Sequence, residues 1–234
     1  DSLIEGDNRI LVRVNHKAPN TRWYSGAGIY RNVWLRKTSR NHIVQDGIYI
    51  NARPNDSDHR EQGKWKVIIQ TELSMQTCGT LAFDVTDPTG CEAYSCERRV
   101  CGKSDKLVFY IDGPKLWDII TPDLYSLSVA LYAEDGTQYD SVQTKFGFRT
   151  TKFDPKEGFL LNGIRVKLNG VCMHHDLGAL GAAVNYDATY RQLSKMKEMG
   201  VNAIRTSHNP PSKELMDICD KMGLLVDSEI FDMR

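Results

Sequence analysis

The sequence has no excess of charge of either sign and no long apolar run. Thirty Lys and Arg residues stand against thirty Asp and Glu residues, which gives a formal net charge of zero with neutral histidines. Without surplus positive charge there is no broad electrostatic basis for binding nucleic acid or an anionic membrane surface. No apolar stretch approaches the roughly 20 residues that a membrane-spanning helix needs. We therefore expect no nucleic-acid partner and no membrane insertion, and neutral ligands fit this composition best.

The first residues lack the basic start and the apolar core of a signal peptide. DSLIEGDNRILVRV (residues 1–14) instead contains a strand-like run, ILVRV, at residues 10–14. Nothing ahead of that run could close a sheet around it. We therefore expect the sequence to open in the middle of a β fold whose earlier strands are missing. The compartment is not predicted, and the cytoplasm and the bacterial periplasm both stay open.

The six cysteines lack the close pairs that are typical of a structural zinc site. Cys78, Cys91, Cys96 and Cys101 share one segment, but no two of them are separated by two residues. Buried free thiols are the favoured interpretation, because cysteine is among the most buried residue types. A disulfide among these four residues is the alternative.

Length and composition predict more than one globular unit. With 234 residues, of which 41% are hydrophobic, the chain exceeds one typical domain and can build real cores. Residues 1–38 form the first zone, which has one predicted strand at residues 10–14 and a second within residues 29–38. This pattern is typical of the closing edge of a β domain.

Residues 39–150 contain six or seven short β-rich runs divided by turn signals. Asp-Pro-Thr-Gly (residues 87–90) and Glu-Asp-Gly (residues 134–136) stand at the spacing of hairpins. Strands of this number and length predict an immunoglobulin-like β-sandwich.

Large aromatic side chains usually fill cores, and we expect this of Trp34, Trp65 and Trp117.

Residues 151–234 change to a helical period and predict the order β-α-β-α-β. Parallel strands joined by helices indicate the start of an α/β barrel or a doubly wound sheet. In the first helix we expect Asp187 as N-cap, Gly200 as the stop, and an apolar face made of Tyr190, Leu193, Met196 and Met199. In the second we expect Ser212 as N-cap, Gly223 as the stop, and an apolar face made of Leu215, Ile218 and Met222.

Reactive side chains follow two of the predicted strands. His174, His175 and Asp176 come directly after the first strand, and Arg205 and His208 come after the second. Because the carboxyl ends of barrel strands meet at one face, where barrel enzymes place their chemistry, these side chains are expected to converge. The sequence therefore predicts a functional site at this end of the sheet.

Four stretches resemble glycoside hydrolase family 2, in the order of that family. Asn202, Arg205 to Pro210, Leu215, Met216, Asp220 and Gly223 resemble its signature, and GVCMHHDLGALGAA (residues 170–183) resembles the first barrel strand and loop of β-galactosidase-like members. WYSGAGIYRNVWL (residues 23–35) resembles the end of its jelly-roll sugar-binding domain, and FGFRT (residues 146–150) the joint entering its barrel. The resemblance implies a multi-domain chain of β plus α/β class. Its parts are a jelly-roll remnant at residues 1–38, an immunoglobulin-like β-sandwich at 39–150 and the first βα units of a truncated (β/α)8 barrel at 151–234.

The resemblance also implies a function. Members of the family hydrolyse terminal β-linked sugars with retention of configuration, through two carboxylates about 5 to 5.5 Å apart. The HHDLGALG loop favours a β-galactosidase over a β-glucuronidase or a β-mannosidase. The family's acid/base glutamate follows Asn in a G-N-E pattern, which this sequence does not contain. We therefore expect no catalytic residue and no activity in the isolated chain; the alternative is a non-catalytic carbohydrate-binding or scaffolding module.

The resemblance assigns sugar contacts to His174 and His208 and a supporting role in the pocket to Arg205 and Glu229. A neutral imidazole suits vicinal hydroxyls because it can both donate and accept a hydrogen bond. His175 is a weaker candidate, because adjacent side chains diverge. The alternatives are histidines that bond local backbone carbonyls, an ordinary ion pair for Arg205, and a metal site formed by His174, Asp176 and His208.

Some positions depart from the family pattern. Ser228 stands where Asp is usual, and Met233 falls near a position that supplies a metal-binding carboxylate in some β-galactosidases. We therefore expect no cofactor, although Mg or Na serves some relatives. Asn20 and Thr21 stand where some relatives place a sugar-contacting Asp, so that contact is not expected here. For Trp23 and Tyr24, core packing and stacking on a sugar are both left open. An uncovered sheet edge favours pairing between copies, so we expect either a homo-oligomer formed by dimerisation or domain swapping, or disorder in residues 151–234.

Overall fold

The computed structural model describes residues 4–17, 28–55 and 63–230. Within these ranges the chain forms eleven strands and two α-helices, together with a short 3-10 turn at Gly178–Leu180. The elements are β1 (Ile43–Pro54), β2 (Lys64–Thr86), β3 (Glu92–Asp112), β4 (Tyr125–Tyr132), β5 (Gln138–Phe146), β6 (Thr151–Asp154), β7 (Gly158–Leu161), β8 (Ile164–Arg165), β9 (Gly170–Met173), α1 (Tyr186–Glu198), β10 (Ala203–Thr206), α2 (Lys213–Met222) and β11 (Leu225–Ser228). None of the helices in these ranges is long and apolar enough to cross a membrane.

Strands β1 to β5 form one antiparallel sheet that curls into the predicted immunoglobulin-like sandwich. The first half of β2 pairs with β1, and its second half pairs with β4. β3 follows β2 along both halves, with a register shift between Glu72 and Thr77. Strand β2 therefore joins two of the short β-rich runs expected in residues 39–150, KWKVIIQTEL (residues 64–73) and the start of TLAFDVTDPTG (residues 80–90). The two runs are continuous because no turn dipeptide interrupts the chain between them.

The sandwich core is built from alternating side chains. In β2, Trp65, Val67 and Ile69 are buried while their neighbours point outward, and β4 repeats this pattern. Such alternation is the mark of a strand with one covered face. Trp65 packs edge-on against Phe148, with ring centroids 5.5 Å apart. Trp65 and Trp117 are only 1% and 2% exposed, which confirms the core role predicted for both.

The cysteine prediction was wrong for one pair. Cys78 and Cys101 lie directly opposite each other on β2 and β3, with Cα atoms 4.1 Å apart, and form a disulfide. Cys91 and Cys172 are exposed free thiols, and Cys96 is partly exposed, so only Cys219 among the described free cysteines is buried. The spacing of cysteines along the chain does not reveal such a bridge, because the bridge depends on the register in which two strands pair.

The strands predicted in the first zone are not formed. Residues 10–14 and 29–38 have no ladder partner among the described residues, and their apolar side chains are exposed, including Trp34 at 81%. The expected burial of Trp34 is therefore wrong. Apolar alternation shows which face of a strand would be covered, but a strand also needs a neighbouring edge to bond. Asn20, Thr21, Trp23 and Tyr24 lie outside the described residues, as does Met233, and the assignment of 1–38 to a jelly roll stays a prediction.

The C-terminal part forms the predicted β-α-β-α-β unit. β9, β10 and β11 make a parallel sheet in the order β11-β10-β9, with Arg205 registered between Cys172 and Asp227. Helices α1 and α2 cover one face of this sheet. The core between sheet and helices consists of Met173, Leu193, Val201, Ile204, Ile218, Cys219 and Leu224.

The N-cap of α1 differs from the prediction, while the stop at Gly200 and the caps of α2 agree with it. Asn185, not Asp187, caps α1 by accepting from the amide of Ala188, because the helix begins two residues earlier than expected. Tyr190 and Met199 are exposed, since three-residue steps drift around a helix of 3.6 residues per turn. In α2, the Ser212 side chain accepts from the amide of Leu215, and Gly223 ends the helix in the left-handed region.

A junction joins the sandwich to the C-terminal unit. The indole Nε1 of Trp117 donates to the backbone oxygen of Asp220 at 2.7 Å, and the Lys197 ammonium donates to the backbone oxygens of Ile119 and Met222. Asn162, in the β7–β8 turn, donates to the backbone oxygen of Trp117 at 3.1 Å. The loop before β4 is thereby fixed to the carboxyl ends of both helices.

Candidate functional site

The candidate site lies at the carboxyl ends of β9, β10 and β11. Side chains alternate across these strands, so that Ile204 and Thr206 face the helices and are buried while Arg205 emerges on the opposite face. Glu229 directly follows β11, and His208 lies two residues past β10. Two neighbouring parallel strands, β10 and β11, therefore bring Arg205, His208 and Glu229 to one edge of the sheet.

Glu229 holds two of the predicted site residues at once. Its Oε2 lies 2.8 Å from Nδ1 of His208, and its Oε1 pairs with the Arg205 guanidinium. Because an ionised carboxylate only accepts hydrogen bonds, Nδ1 of His208 carries the proton. The Glu229 side chain is only 19% exposed, which shields both contacts from water. Its backbone amide donates to the buried hydroxyl of Thr206 at 3.0 Å.

The two adjacent histidines point in different directions. The ring of His174 meets that of His208 edge to face, with centroids 5.6 Å apart. The ring of His175 instead lies 5.8 Å from the ring of Tyr30. His174 therefore joins the cluster around Glu229, while His175 packs against the N-terminal segment.

Arg205 has further neighbours on the open face of the sheet. Its Nη1 lies 3.6 Å from Sγ of Cys172 and 3.5 Å from Oγ of Ser207. Hydrogen bonds from Arg205 and then from Ser207 hold the pKa of the Cys172 thiol below its ordinary value. The same thiol contact, with the charge of Glu229 adding to it, raises the pKa of Arg205. The guanidinium thus stays charged at every pH at which the protein is folded.

Burial and nearby positive charge act together on His175. Loss of solvent lowers the pKa of its imidazole most, and the charges of Arg31 and His174 lower it further. His175 is therefore a neutral ring at neutral pH. A neutral imidazole can accept as well as donate a hydrogen bond.

A small cavity lies behind His174 and His175, between the amino ends of α1 and α2. It has a volume of about 50 Å³ and is lined in part by Tyr30, Met173 and Leu215. This space holds a few water molecules and is too small for a sugar ring. Arg205 and Glu229 do not line it, so a ligand that contacts them must approach from the open face of the sheet.

Within the part of the chain that the structure describes, no group of three or more His, Cys, Asp or Glu side chains is arranged to hold a metal ion. His174, Asp176 and His208, the metal set considered above, do not form such a group. The acidic neighbour of His208 is Glu229, which already shares its carboxylate with Arg205.

Sequence reasoning missed several neighbours of the site. Thr206, Ser207 and Cys172 lie one or two residues from the predicted residues, and strand alternation could have placed Cys172 beside Arg205. Tyr30 and Arg31 gave no comparable signal, because they lie well over one hundred residues earlier in the chain.

The sequence and the fold of the chain are similar to those of known proteins. A β-galactosidase of Bacteroides ovatus is 43% identical over 234 residues, which cover 97% of this chain and 27% of the relative. A putative β-glucuronidase of Formosa agariphila is 36% identical over 231 residues, which cover 97% of this chain and 22% of the relative. The crystal structure of a glycosyl hydrolase family 2 member from Bacteroides cellulosilyticus superposes with a TM-score of 0.80 at 32% identity, over 92% of this chain and 30% of that one. The chain thus spans about a quarter of the length of these proteins.

Two family models match the two folded parts described above. The model described as "Glycosyl hydrolases family 2" matches residues 42–149, which hold the sandwich. The model described as "Glycosyl hydrolases family 2, TIM barrel domain" matches residues 155–231, which hold the parallel strands and the candidate site. Because both models come from one family and follow each other in order, the chain belongs to glycosyl hydrolases family 2.

Proposed function

We propose that this chain serves in a retaining exo-glycosidase that hydrolyses terminal β-linked sugars, with a β-galactoside as substrate. The observation that carries the proposal is the cluster in which one partly buried carboxylate, Glu229, orients His208 and Arg205 at the carboxyl edge of parallel strands. Active sites of α/β barrels are built at this edge. The 43% identity to a β-galactosidase, over nearly the whole chain, supports the choice of sugar.

In this proposal His174 and His208 contact sugar hydroxyls. The bond between Glu229 and Nδ1 of His208 fixes the tautomer of that ring, so that Nε2 is the hydrogen-bond acceptor. A ring held in this way meets a hydroxyl in one orientation, which favours one stereoisomer of the sugar over its epimers. His174 packs edge-on against His208 and is held in place by the same ring.

Arg205 and Glu229 support the pocket. A guanidinium beside a carboxylate fixes the plane of that carboxylate through charge-assisted hydrogen bonds. Here Arg205 does this for Glu229, which in turn holds His208. Glu229 is therefore a pocket carboxylate rather than the nucleophile, because both of its oxygens are already in use.

The bond-breaking step requires two further groups. A retaining mechanism uses one carboxylate as nucleophile and a second as acid and then base, about 5 to 5.5 Å apart. The 234 residues contain no G-N-E pattern for the acid/base residue. We therefore expect the isolated chain to bind and orient a sugar in part and to cleave none.

The test compares two proteins made from one gene. The polypeptide encoded by the complete reading frame that contains these residues should release nitrophenol from an aryl β-galactoside. The 234-residue chain alone should release none under the same conditions. If the isolated chain cleaved the substrate, the prediction that it lacks the catalytic pair would be wrong. If the longer polypeptide cleaved no aryl β-glycoside, the glycosidase proposal itself would be wrong.

A β-glucuronidase is the second candidate, because a putative β-glucuronidase is 36% identical over 97% of the chain. A glucuronide differs from a galactoside in the configuration at the sugar's fourth carbon and in having a carboxylate at the sixth carbon. That carboxylate needs a cation in the pocket. Arg205 is already neutralised by Glu229, which favours the uncharged sugar. Measuring kcat/KM for the aryl β-galactoside and the aryl β-glucuronide side by side decides between the two.

A further inference from the structure

Residues 30–32, here called the strap, reach from the N-terminal zone across both loops of the candidate site. The backbone oxygen of Tyr30 accepts from the amide of Val184 at 2.8 Å, at the end of the loop that begins with His174. The guanidinium of Arg31 donates to the backbone oxygen of Pro210 at 2.5 Å, in the loop that carries His208. Two consecutive residues thus bond to two loops that come from different strands.

The next residue extends the same contact. The side-chain amide of Asn32 donates to Oε1 of Glu214 at 2.9 Å, in the first turn of α2. This helix begins directly after the loop that carries His208, and Ser212 caps it. The strap therefore holds the loop at Pro210 and also the helix that follows it.

Aromatic and charge contacts hold the other loop. The ring of Tyr30 lies 5.8 Å from the ring of His175, and the guanidinium of Arg31 lies 5.4 Å from the centroid of the Tyr30 ring. Arg31 also contributes to the lowered pKa of His175, which keeps that ring neutral against Tyr30. Because Arg31 touches both Tyr30 and Pro210, it links one site loop to the other.

The loops that the strap joins are irregular and carry the predicted sugar contacts. Between β9 and α1 the chain has only a 3-10 turn, and between β10 and α2 it has no regular structure. Loops of this kind open locally more easily than strands or helices do. The edge-on contact between His174 and His208 spans the two loops, so its geometry depends on how firmly they are held together.

We propose that Tyr30, Arg31 and Asn32 are positioning residues for the sugar pocket, holding the loops of His174 and His208 in register. This inference rests on the proposed function for its effect on catalysis, but not for its effect on loop mobility. It also assigns a role to the N-terminal zone, where the apolar side chains of residues 33–35 are exposed. That zone contributes to the site through its polar residues.

The first experiment measures loop mobility directly, by hydrogen exchange and mass spectrometry of the 234-residue chain. Arg31→Ala should speed exchange in peptides covering residues 174–185 and 207–215 by about tenfold, the usual worth of one hydrogen bond. Arg31→Lys keeps one donor for Pro210 and should restore part of the protection. Asn32→Ala should affect only the second peptide.

The matched control is Arg99→Ala, which removes another exposed guanidinium, from a surface ion pair with Glu134 on the sandwich. It should leave both site peptides unchanged. A second readout is the NMR titration of His175, whose pKa should rise in Arg31→Ala because a neighbouring positive charge has been removed. Unchanged exchange in both peptides of Arg31→Ala would overturn the proposal.

The last arm uses the longer polypeptide from the complete reading frame. Arg31→Ala should raise KM for an aryl β-galactoside about tenfold with a smaller change in kcat, because the strap orients residues that bind the sugar. A change confined to kcat would contradict the positioning role. If the unmodified polypeptide cleaves no glycoside, the proposed function fails, while hydrogen exchange still decides whether the strap holds the loops.

Discussion

Glu229 and His208 lie 2.8 Å apart, measured from the carboxylate Oε2 to the imidazole Nδ1, at the ends of two neighbouring parallel strands. Both side chains are less than one-fifth exposed. The second oxygen of the same carboxylate holds Arg205, so a single acidic residue sets the positions of one cation and one imidazole. This makes Glu229 the centre of the candidate site.

The Arg205–Glu229 pair should contribute modestly to stability. Side-chain exposures of 43% and 19% place it between the surface and the interior. We expect a small favourable coupling between Arg205 and Glu229 from a double-mutant cycle with Arg205→Met and Glu229→Gln, measured by urea denaturation. The more exposed pair of Arg99 and Glu134 is the control and should give a coupling near zero. If both cycles gave the same coupling, the lower solvent exposure of Glu229 would not strengthen its pair with Arg205.

Alkylation should distinguish two cysteines by pH. The Arg205 guanidinium and the Ser207 hydroxyl lower the pKa of the exposed Cys172 thiol, whereas burial raises the pKa of Cys219 to about 12. Because the thiolate is the reactive form, iodoacetamide should modify Cys172 at a lower pH than an ordinary cysteine and leave Cys219 unmodified at pH 8. Peptide mapping by mass spectrometry follows both sites in one sample.

Replacing Arg205 tests the cause of this reactivity. In Arg205→Met the midpoint of Cys172 alkylation should move to higher pH, since the largest influence lowering its pKa has been removed. If the midpoint of Cys172 alkylation stayed at the same pH, solvent exposure alone would account for the reactivity of this thiol. Cys91, which is also exposed and lies on the sandwich, should keep its own pH profile in this variant.

Trp117 should be important for joining the two folded parts. Trp117→Phe keeps an aromatic ring in a site that is 2% exposed but removes the donor to the backbone oxygen of Asp220. We expect a loss of about 0.5 to 1.5 kcal/mol in the free energy of unfolding, the net contribution of one partly buried hydrogen bond. Trp34→Phe makes the same change at a residue that is 81% exposed and should alter stability little. Equal effects would argue against a role for the Nε1 bond.

Local patterns predicted the elements that depend on neighbouring residues. The preference of large aromatic side chains for cores predicted the burial of Trp65, and the caps of α2 were foreseen at Ser212 and Gly223. The cluster of Arg205, His208 and Glu229 could be expected because consecutive βα units place strand ends side by side. In each case the relevant contacts lie within one element or between adjacent ones.

Contacts between distant segments could not be foreseen. The Cys78–Cys101 bridge requires the register of two long strands, which a hydrophobic pattern leaves open. The bond from Arg31 to Pro210 joins residues 179 positions apart, and neither residue type marks a partner. For residues 10–14, apolar alternation described a possible strand but could not supply the neighbouring edge that a strand needs.

The disulfide should stabilise the sandwich. Replacing Cys78 and Cys101 together by Ala should lower the free energy of unfolding by about 2 to 4 kcal/mol, since the bridge closes a loop in the unfolded chain. Cys91→Ala, at an exposed free thiol, should have little effect. Under non-reducing conditions mass spectrometry should count four free thiols, and a count of six would contradict the bridge.

Gly223 should tolerate alanine less well than Gly200, although both glycines have positive φ angles, of 70° and 85°. A methyl group at Gly200 would meet no atom within 4 Å, so Gly200→Ala should cost only the backbone strain of about 1 to 2 kcal/mol. At Gly223 the same methyl group would lie 2.8 Å from the backbone oxygen of Ile119, in the loop fixed by Trp117. Gly223→Ala should therefore be clearly more destabilising in urea denaturation, and its excess over Gly200→Ala measures how tightly the sandwich is packed against the end of α2. Equal losses in the two variants would mean that the loop at Ile119 moves away freely.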